Sequence, residues 1–211
     1  MAEVNSVPAR ARFDRLLEAM IDEPEREAEI EQRIEAEFAC HRAVMVLDTG
    51  GFSWTTRRHG ILAFLAMIHR LKRAARPVVT AFGGRIVKAE ADNLFCLFET
   101  VEDAVAASQG ILAALDAENS ELAPEFRISS SIGIAYGRIL DLAGEDLFGD
   151  AVNIACKLGE DVAERDMILV SADAYERIAQ DRFPGRTEAV SISGLWLNYV
   201  VVTEPDVRAD R

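Results

Sequence analysis

The residues in this sequence best suited to chemistry are two aspartates and their immediate neighbours. Asp48 closes the run Ala43-Val-Met-Val-Leu-Asp48 and is followed by Thr49, Gly50, Gly51 and Phe52. Asp92 closes Gly84-Arg-Ile-Val-Lys88-Ala-Glu-Ala-Asp92. Two carboxylates held within a few ångströms repel each other, and both stay ionised only if cations compensate. Two divalent ions about 3.5–4 Å apart do this in phosphoryl and nucleotidyl transfer, and oxygen-only ligands favour Mg²⁺ or Mn²⁺ over zinc. An isolated Asp-Thr-Gly-Gly reads first as the cap of a following helix. The second acid, in a matching setting, shifts the reading toward metal.

That chemistry requires a fold that brings the two acids together. The apolar run before Asp48, bounded by glycines, predicts a buried strand with the acid at its carboxyl end. Gly50 and Gly51 would let the chain turn close to a ligand, with backbone N–H groups directed outward. A single amphipathic helix is expected from Trp54 to Leu71, with Pro77 breaking the pattern. Two short strands around a turn at Ala91-Asp92-Asn93 come next, then a helix from Val101 to Leu115 and a strand from Phe126 to Leu140. An acidic loop over 141–148 leads to a helix from Asp150 to Leu158, with Asn153 and Lys157 four apart on one face. A strand over Met167–Val170, a short helix capped by Ser171 and two closing strands, the second from Trp196 to Thr203, complete the chain. This order predicts an α+β fold of the ferredoxin-like split βαβ (βαββαβ) type, with helices packed on an antiparallel-rich sheet. In that topology the first strand neighbours the following hairpin, and Asp48 and Asp92 converge.

Residues 1–8 read as loose, 10–21 as a helix ended or kinked by Pro24, and 25–38 as a charged helix with a thin stripe of Ile30, Ile34 and Phe38. Residues 1–39 therefore form a helical extension, either a solubilising lead-in or a dimerising or regulatory element. The domain proper covers 40–204, and 205–211 is a polar tail. With 211 residues, half of them hydrophobic, there is material for one core and an appendage. A net charge of −13 without a basic cluster argues against nucleic acid and anionic membranes as partners. Cys40, Cys96 and Cys156 lack metal-type spacing and suggest buried, reduced thiols; His41, His59 and His69 form no ligand pattern, the last two sharing one helix but not one face. No signal peptide and no membrane span is seen, so a cytoplasmic protein is expected.

Asp48-Thr-Gly-Gly-Phe-Ser, Gly84-Arg-Ile-Val-Lys88-Ala-Glu-Ala-Asp92 and Asp146-Leu-Phe-Gly-Asp-Ala-Val-Asn153-Ile-Ala-Cys-Lys157-Leu resemble, in order, the three signature blocks of class III nucleotidyl cyclases, most closely the adenylate cyclases. The resemblance spans about residues 40–203 and includes the closing hairpin around Ser193-Gly-Leu. It implies that Asp48, Asp92 and the backbone carbonyl of Thr49 hold two Mg²⁺ or Mn²⁺ ions, and that Gly50, Gly51 and Phe52 line the substrate. Lys88 and Asp146 would read adenine by donating to ring N1 and accepting from the exocyclic amine, which suits ATP over GTP. Asn153 would place the ribose, and Lys157 would stabilise charge on the transferring phosphate where the family uses arginine. The site would form between two head-to-tail subunits, so a homodimer with ATP as substrate is implied, and Lys88 and Asp92 would serve different sites. Departures are Lys157 itself, Ala91 in place of a glycine, and Glu90, an extra acid that either shifts metal preference or pairs with Lys88. Other readings are a guanylate or pyrimidine nucleotide cyclase, or a non-catalytic cyclase-like domain that binds nucleotide or a partner. A diguanylate cyclase is disfavoured because Gly83-Gly84 is followed by Arg85, and a polymerase would want a basic groove.

Overall fold

Ala43 to Leu47 have no exposed surface, because the strand that carries them, β1 (Ala39–Thr49), is covered on both faces. The structure, a computed structural model, describes residues 7–50, 52–192 and 194–203, and of residues 52–55 the backbone alone. The other strands are β2 (Arg85–Glu90), β3 (Asn93–Phe98), β4 (Ser130–Asp141), β5 (Leu147–Phe148), β6 (Ile168–Ser171), β7 (Gly185–Ile192) and β8 (Leu195–Val202). They form one sheet in the order β2-β3-β1-β4-β6-β8-β7, with β5 paired to β4. β1 runs antiparallel to β3 on one side and to β4 on the other. This mixed sheet with packed helices is the α+β arrangement the sequence predicts.

Alternation along the strands sends side chains to two separate cores. Met45, Leu47, Leu94, Cys96, Ile132 and Ile134 pack under the helices α4 (Ile61–Ala81) and α5 (Val101–Ser120). Val44, Val46, Phe95, Leu97 and Ala135 pack under α6 (Asp150–Cys156). The α6 face matters most, since Asp48 is in phase with Val44 and Val46.

The helices depart from expectation in several places. The stretch from Trp54 to Leu71 is not one helix but two, α3 (Phe52–His59) and α4, separated by Gly60 at φ 84, a value glycine adopts without penalty. His59 and His69 therefore lie on different helices. Pro77 does not end α4, which continues to Ala81. Proline inside a helix costs about 3 kcal/mol, but Ala75 and Val79 on either side are fully buried, and Val78 packs so close to α5 that a Cβ on Gly110 would lie 2.9 Å from it. Strand β4 starts at Ser130, because Pro124–Phe126 form a 3₁₀ turn. Ser171 precedes the short helix α7 (Ala172–Tyr175) without a side-chain capping bond. Cys96 is buried and Cys40 and Cys156 are partly so, all three as free thiols. The expectations for residues 1–6, Ser193 and 204–211 lie outside the described residues. No helix among the described residues is long and apolar enough to cross a membrane.

At the amino end, α1 (Ala9–Asp22) and α2 (Glu27–Phe38) form a hairpin around the 3₁₀ turn at Pro24. Phe13, Leu16, Ile30, Ile34 and Phe38 make a small core with Leu142, so the thin stripe of α2 is satisfied by its own chain.

The tightest packing in the fold is where α6 crosses the sheet. A Cβ at Gly133 would stand 2.1 Å from the Ala155 carbonyl oxygen and 2.4 Å from the Gly159 nitrogen, both backbone atoms that cannot swing aside. Gly133→Ala should therefore cost about 3 kcal/mol or more, read as a lower urea midpoint at unchanged m-value. Gly137→Ala, whose Cβ would meet only the Ala151 methyl at 3.3 Å, should cost about 1 kcal/mol or less. Equal losses would refute the backbone clash as the cause.

Candidate functional site

Strand pairing brings the two aspartates together. β1 ends at Thr49, and β3 begins at Asn93 just after the turn that holds Asp92, with Leu47 opposite Leu94. The buried Thr49 hydroxyl donates to the Asp92 carbonyl oxygen at 3.0 Å, tying the strand end to the hairpin tip. Ala91 in that turn takes φ 50, the left-handed region that favours glycine, so its methyl sits where a side chain is strained. Asp48 is partly buried, and its carboxyl is pushed up to about 6 by burial first, then by the charges of Asp92 and Glu160, against a lowering backbone bond at Thr49. Glu160 accepts from Asn93 Nδ2 at 2.9 Å and is itself raised, chiefly by burial.

This donor set fits a divalent cation: a half-buried carboxylate that resists ionisation, with two further acids close enough to add to the effect. Among the described residues no three His, Cys, Asp or Glu side chains are grouped to hold an ion alone. Two carboxylates would leave most of a coordination shell to water or to the oxygens of a bound ligand such as a phosphate.

A second pair joins this hairpin to the loop between β4 and β5. Lys88 Nζ lies 2.8 Å from Asp146 Oδ1 and 2.8 Å from Glu90 Oε2, and 4.6 Å from the centre of the Phe95 ring. Glu90 thus pairs with Lys88, one of the two outcomes expected of that extra acid. A register shift between Ile86 and Lys88 sets Lys88 opposite Phe95. Regular pairing would set it opposite Leu94, on the α4–α5 side of the sheet. The bulge re-aims the lysine to the α6 face. Burial pulls the Lys88 ammonium down, but Asp146 and Glu90 outweigh it and raise it above its ordinary value. Asp146, although burial alone would raise it, is held low by Lys88 and the Leu147 N–H, with help from Arg10.

Asn153 is exposed on α6, and Lys157 begins a π-helical turn (Lys157–Val162) instead of continuing the α-helix. The Ala163 N–H reaches back five residues to Leu158 at 2.8 Å. The wider turn fits Gly159 against the sheet, where a Cβ would be 3.0 Å from the Val46 carbonyl oxygen. The Lys157 N–H still donates to Asn153 and Ile154, so both side chains leave adjacent turns. Among the described residues, no hydrogen bond or ion pair joins them to Asp48, Asp92, Lys88 or Asp146.

Gly50 departs from expectation: its N–H does not point outward but donates to the Ser129 carbonyl at 3.3 Å, one step beyond the last β1–β4 pair of Thr49 and Ser130. Gly51 and the Phe52 side chain lie outside the described residues. Two functional-site neighbours escaped the sequence reading, Glu160 and Arg10. Glu160 carried a faint signal, being three residues beyond Lys157 and seven beyond Asn153, hence on their helical face. Arg10 carried none.

The chain is 30% identical over 147 residues to an adenylate cyclase of Streptomyces coelicolor, a match covering 70% of this chain and 36% of that protein. It thus spans about a third of that relative's length. Among solved structures, the adenylate/guanylate cyclase/hydrolase of Silicibacter pomeroyi is 26% identical with a TM-score of 0.63, covering 79% of this chain and 98% of that one. The guanylyl cyclase Cya2 is 18% identical with a TM-score of 0.68 over 82% and 96% of the two chains, a likeness of fold. No protein-family model matches the sequence. The curated relatives are named adenylate cyclases and the structural neighbours are adenylyl and guanylyl cyclases, and the sheet and helices of this chain are those of a class III nucleotidyl cyclase catalytic domain.

The raised Asp48 has a measurable consequence. An acid that titrates at about 6 when folded, against 3.8 ordinarily, takes up a proton on folding between those values. Without metal, its contribution therefore becomes less favourable as pH rises through this window and stays so above it. Asp48→Asn should raise the thermal midpoint in chelator at about pH 8 and change it little at about pH 4. The same shift at both pH values would contradict the raised carboxyl of Asp48.

Proposed function

We propose that the protein is an adenylate cyclase that converts ATP to 3′,5′-cyclic AMP and pyrophosphate in a head-to-tail homodimer. The observation that carries this reading is the Lys88–Asp146 contact at 2.8 Å, which sets a donor beside an acceptor across 58 residues of chain. Adenine offers the complement on one edge, an acceptor at N1 and a donor at the 6-amino group. Guanine reverses that order.

In the reaction the ribose 3′-oxygen bonds to the α-phosphorus while the bond from that phosphorus to the pyrophosphate oxygen breaks. Asp48 and Asp92, with the Thr49 carbonyl, would hold two Mg²⁺ or Mn²⁺ ions. Bound there, the ions would supply Lewis-acid stabilisation of phosphate charge and a lowered pKa for the attacking hydroxyl. Lys88 and Asp146 hold the base, so the sugar is presented in one orientation. Asn153 hydrogen-bonds near the ribose, and Lys157 places positive charge beside the α-phosphate as charge builds there. Among the described residues Asn153 and Lys157 share no bond with the aspartates of their own chain, which suits their acting on a nucleotide held by the partner's aspartates. The curated adenylate cyclase relative supports ATP as substrate. A cytoplasmic location goes with this reading.

Purified protein given ATP or GTP with Mn²⁺ should yield cyclic AMP from ATP in preference, and Asp48→Ala should reduce the yield to background. Cyclic GMP as the main product would keep the chemistry and overturn the base assignment, whereas no product from a dimeric protein would favour the non-catalytic reading. Mixing Asp48→Ala with Asn153→Ala, each inactive alone, should restore about a quarter of the wild-type rate, since half of randomly formed dimers carry one intact site. No recovery on mixing would count against a shared site. Lys157→Arg should raise kcat several-fold with little change in KM, because a planar guanidinium can bind two phosphate oxygens at once.

A further inference from the structure

The loop that carries Asp146 is held by the amino-terminal helical hairpin. The Ala9 N–H, at the start of α1, donates to Glu145 Oε1 at 2.9 Å. Phe13 stacks on Phe148, with ring centres 5.6 Å apart and planes 15° apart, and meets the edge of Phe38 at 5.5 Å. Leu142 is fully buried in the hairpin's own core. Between these anchors, Arg10 Nη1 donates to Asp146 Oδ2 at 2.9 Å. The guanidinium is steadied by Asp14, whose Oδ1 accepts from Nε at 3.0 Å, and lies 5.8 Å from the centre of the Phe148 ring.

The hydrogen-bonding capacity of Asp146 then becomes restrictive. A carboxylate offers about four lone pairs, two on each oxygen. Oδ1 accepts from Lys88 Nζ and from the Leu147 N–H, both at 2.8 Å. Oδ2 accepts from Arg10. One lone pair remains, on the oxygen that Arg10 holds. A base that donates its amino group to Asp146 while Lys88 keeps its place must use that lone pair, within reach of the arginine.

We propose that Arg10 is a positioning residue of the base-reading site: it fixes Asp146 Oδ2 so that its remaining lone pair receives the amino group of the nucleotide base. This rests on the reading of Lys88 and Asp146 given above. Seating of the amino-terminal hairpin thereby becomes a condition of base selection rather than only of folding. The Arg10–Asp146 pair is too exposed on the arginine side to contribute much to stability, with Arg10 47% and Asp146 18% accessible.

The test uses the full chain as wild type, Arg10→Ala and Arg10→Lys. Dissociation constants for non-cyclisable analogues of ATP and GTP are measured by titration, alongside KM and kcat for ATP. Loss of one charge-assisted bond predicts roughly tenfold weaker binding of the ATP analogue to Arg10→Ala. Binding of the GTP analogue should change far less, so the preference narrows, KM rises and kcat stays within about twofold. Arg10→Lys should recover part of the preference, and all three proteins should melt within about 2 °C of one another. If Arg10→Ala discriminates between the analogues as wild type does, the proposal is overturned while the cyclase reading stands. A lower melting temperature with the preference intact would likewise reduce Arg10 to a structural role and overturn it. If wild type binds neither analogue, the base-reading assignment fails and the role of Arg10 fails with it. If wild type binds and discriminates without turnover, the catalytic reading alone fails and the binding arm still decides for or against Arg10.

Discussion

Everything in this molecule that resembles a site depends on β1 being paired on both sides. Its ladder with β4 runs from Ala39 opposite Leu140 to Thr49 opposite Ser130, and its ladder with β3 fixes the hairpin that holds Asp92. Because side chains alternate, this one register decides that Asp48 emerges beside α6 while Thr49 turns to the other core. A one-residue slip would send Asp48 under α4 and α5 and leave an ionised carboxylate in an apolar layer. The five fully buried residues from Ala43 to Leu47 make such a slip costly, since both cores lose their fit together. The hydrophobic strand is thus what holds a charge where charge is unwelcome.

The cost of that placement is visible in Asp48, whose carboxyl is raised by burial and by two neighbouring acids. Lys88 and Asp146 show the opposite condition, a partly buried cation and anion that satisfy each other. The two pairs lie near one sheet face, yet only one is self-compensating. The aspartates call for a cation from outside, whereas the lysine–aspartate pair keeps one ammonium proton and one carboxylate lone pair with which to meet a base. Glu90 on the lysine and Arg10 on the aspartate each hold one member of the second pair, so its geometry is set by the free chain before any base arrives.

Strand patterns were legible in the sequence because burial on both faces leaves an unbroken apolar run, and turns announce themselves by residue type. The order of strands and helices, and hence the approach of Asp48 to Asp92, followed from those signals. Helix limits were less legible. Gly60 interrupts a hydrophobic period that continues across it, so periodicity joined α3 to α4. Pro77 is a breaker only by local rules, and tertiary packing around Ala75 and Val79 overrides them. The π turn at Lys157 and the bulge before Lys88 respond to close backbone contacts between distant segments, which no local pattern encodes. In the site, motif positions could be placed by their likeness to a family, but Glu160 and Arg10 arrive from other parts of the chain through folding alone.

The bulge bears on how one hairpin can serve two purposes. Lys88 and Asp92 are four residues apart, and in an unbroken ladder residues at that spacing project from the same face. The shift between Ile86 and Lys88 puts Val87 and Lys88 on the α6 side together, while Asp92 leaves the ladder at the turn. Lys88 is then directed along the sheet toward Asp146 and α1, and Asp92 stays at the strand end beside Asp48 and Glu160. A short segment thereby supplies two separate surfaces, one acidic and one mixed in charge. The irregularity that looks like a defect in the sheet is what makes that division of labour geometrically available.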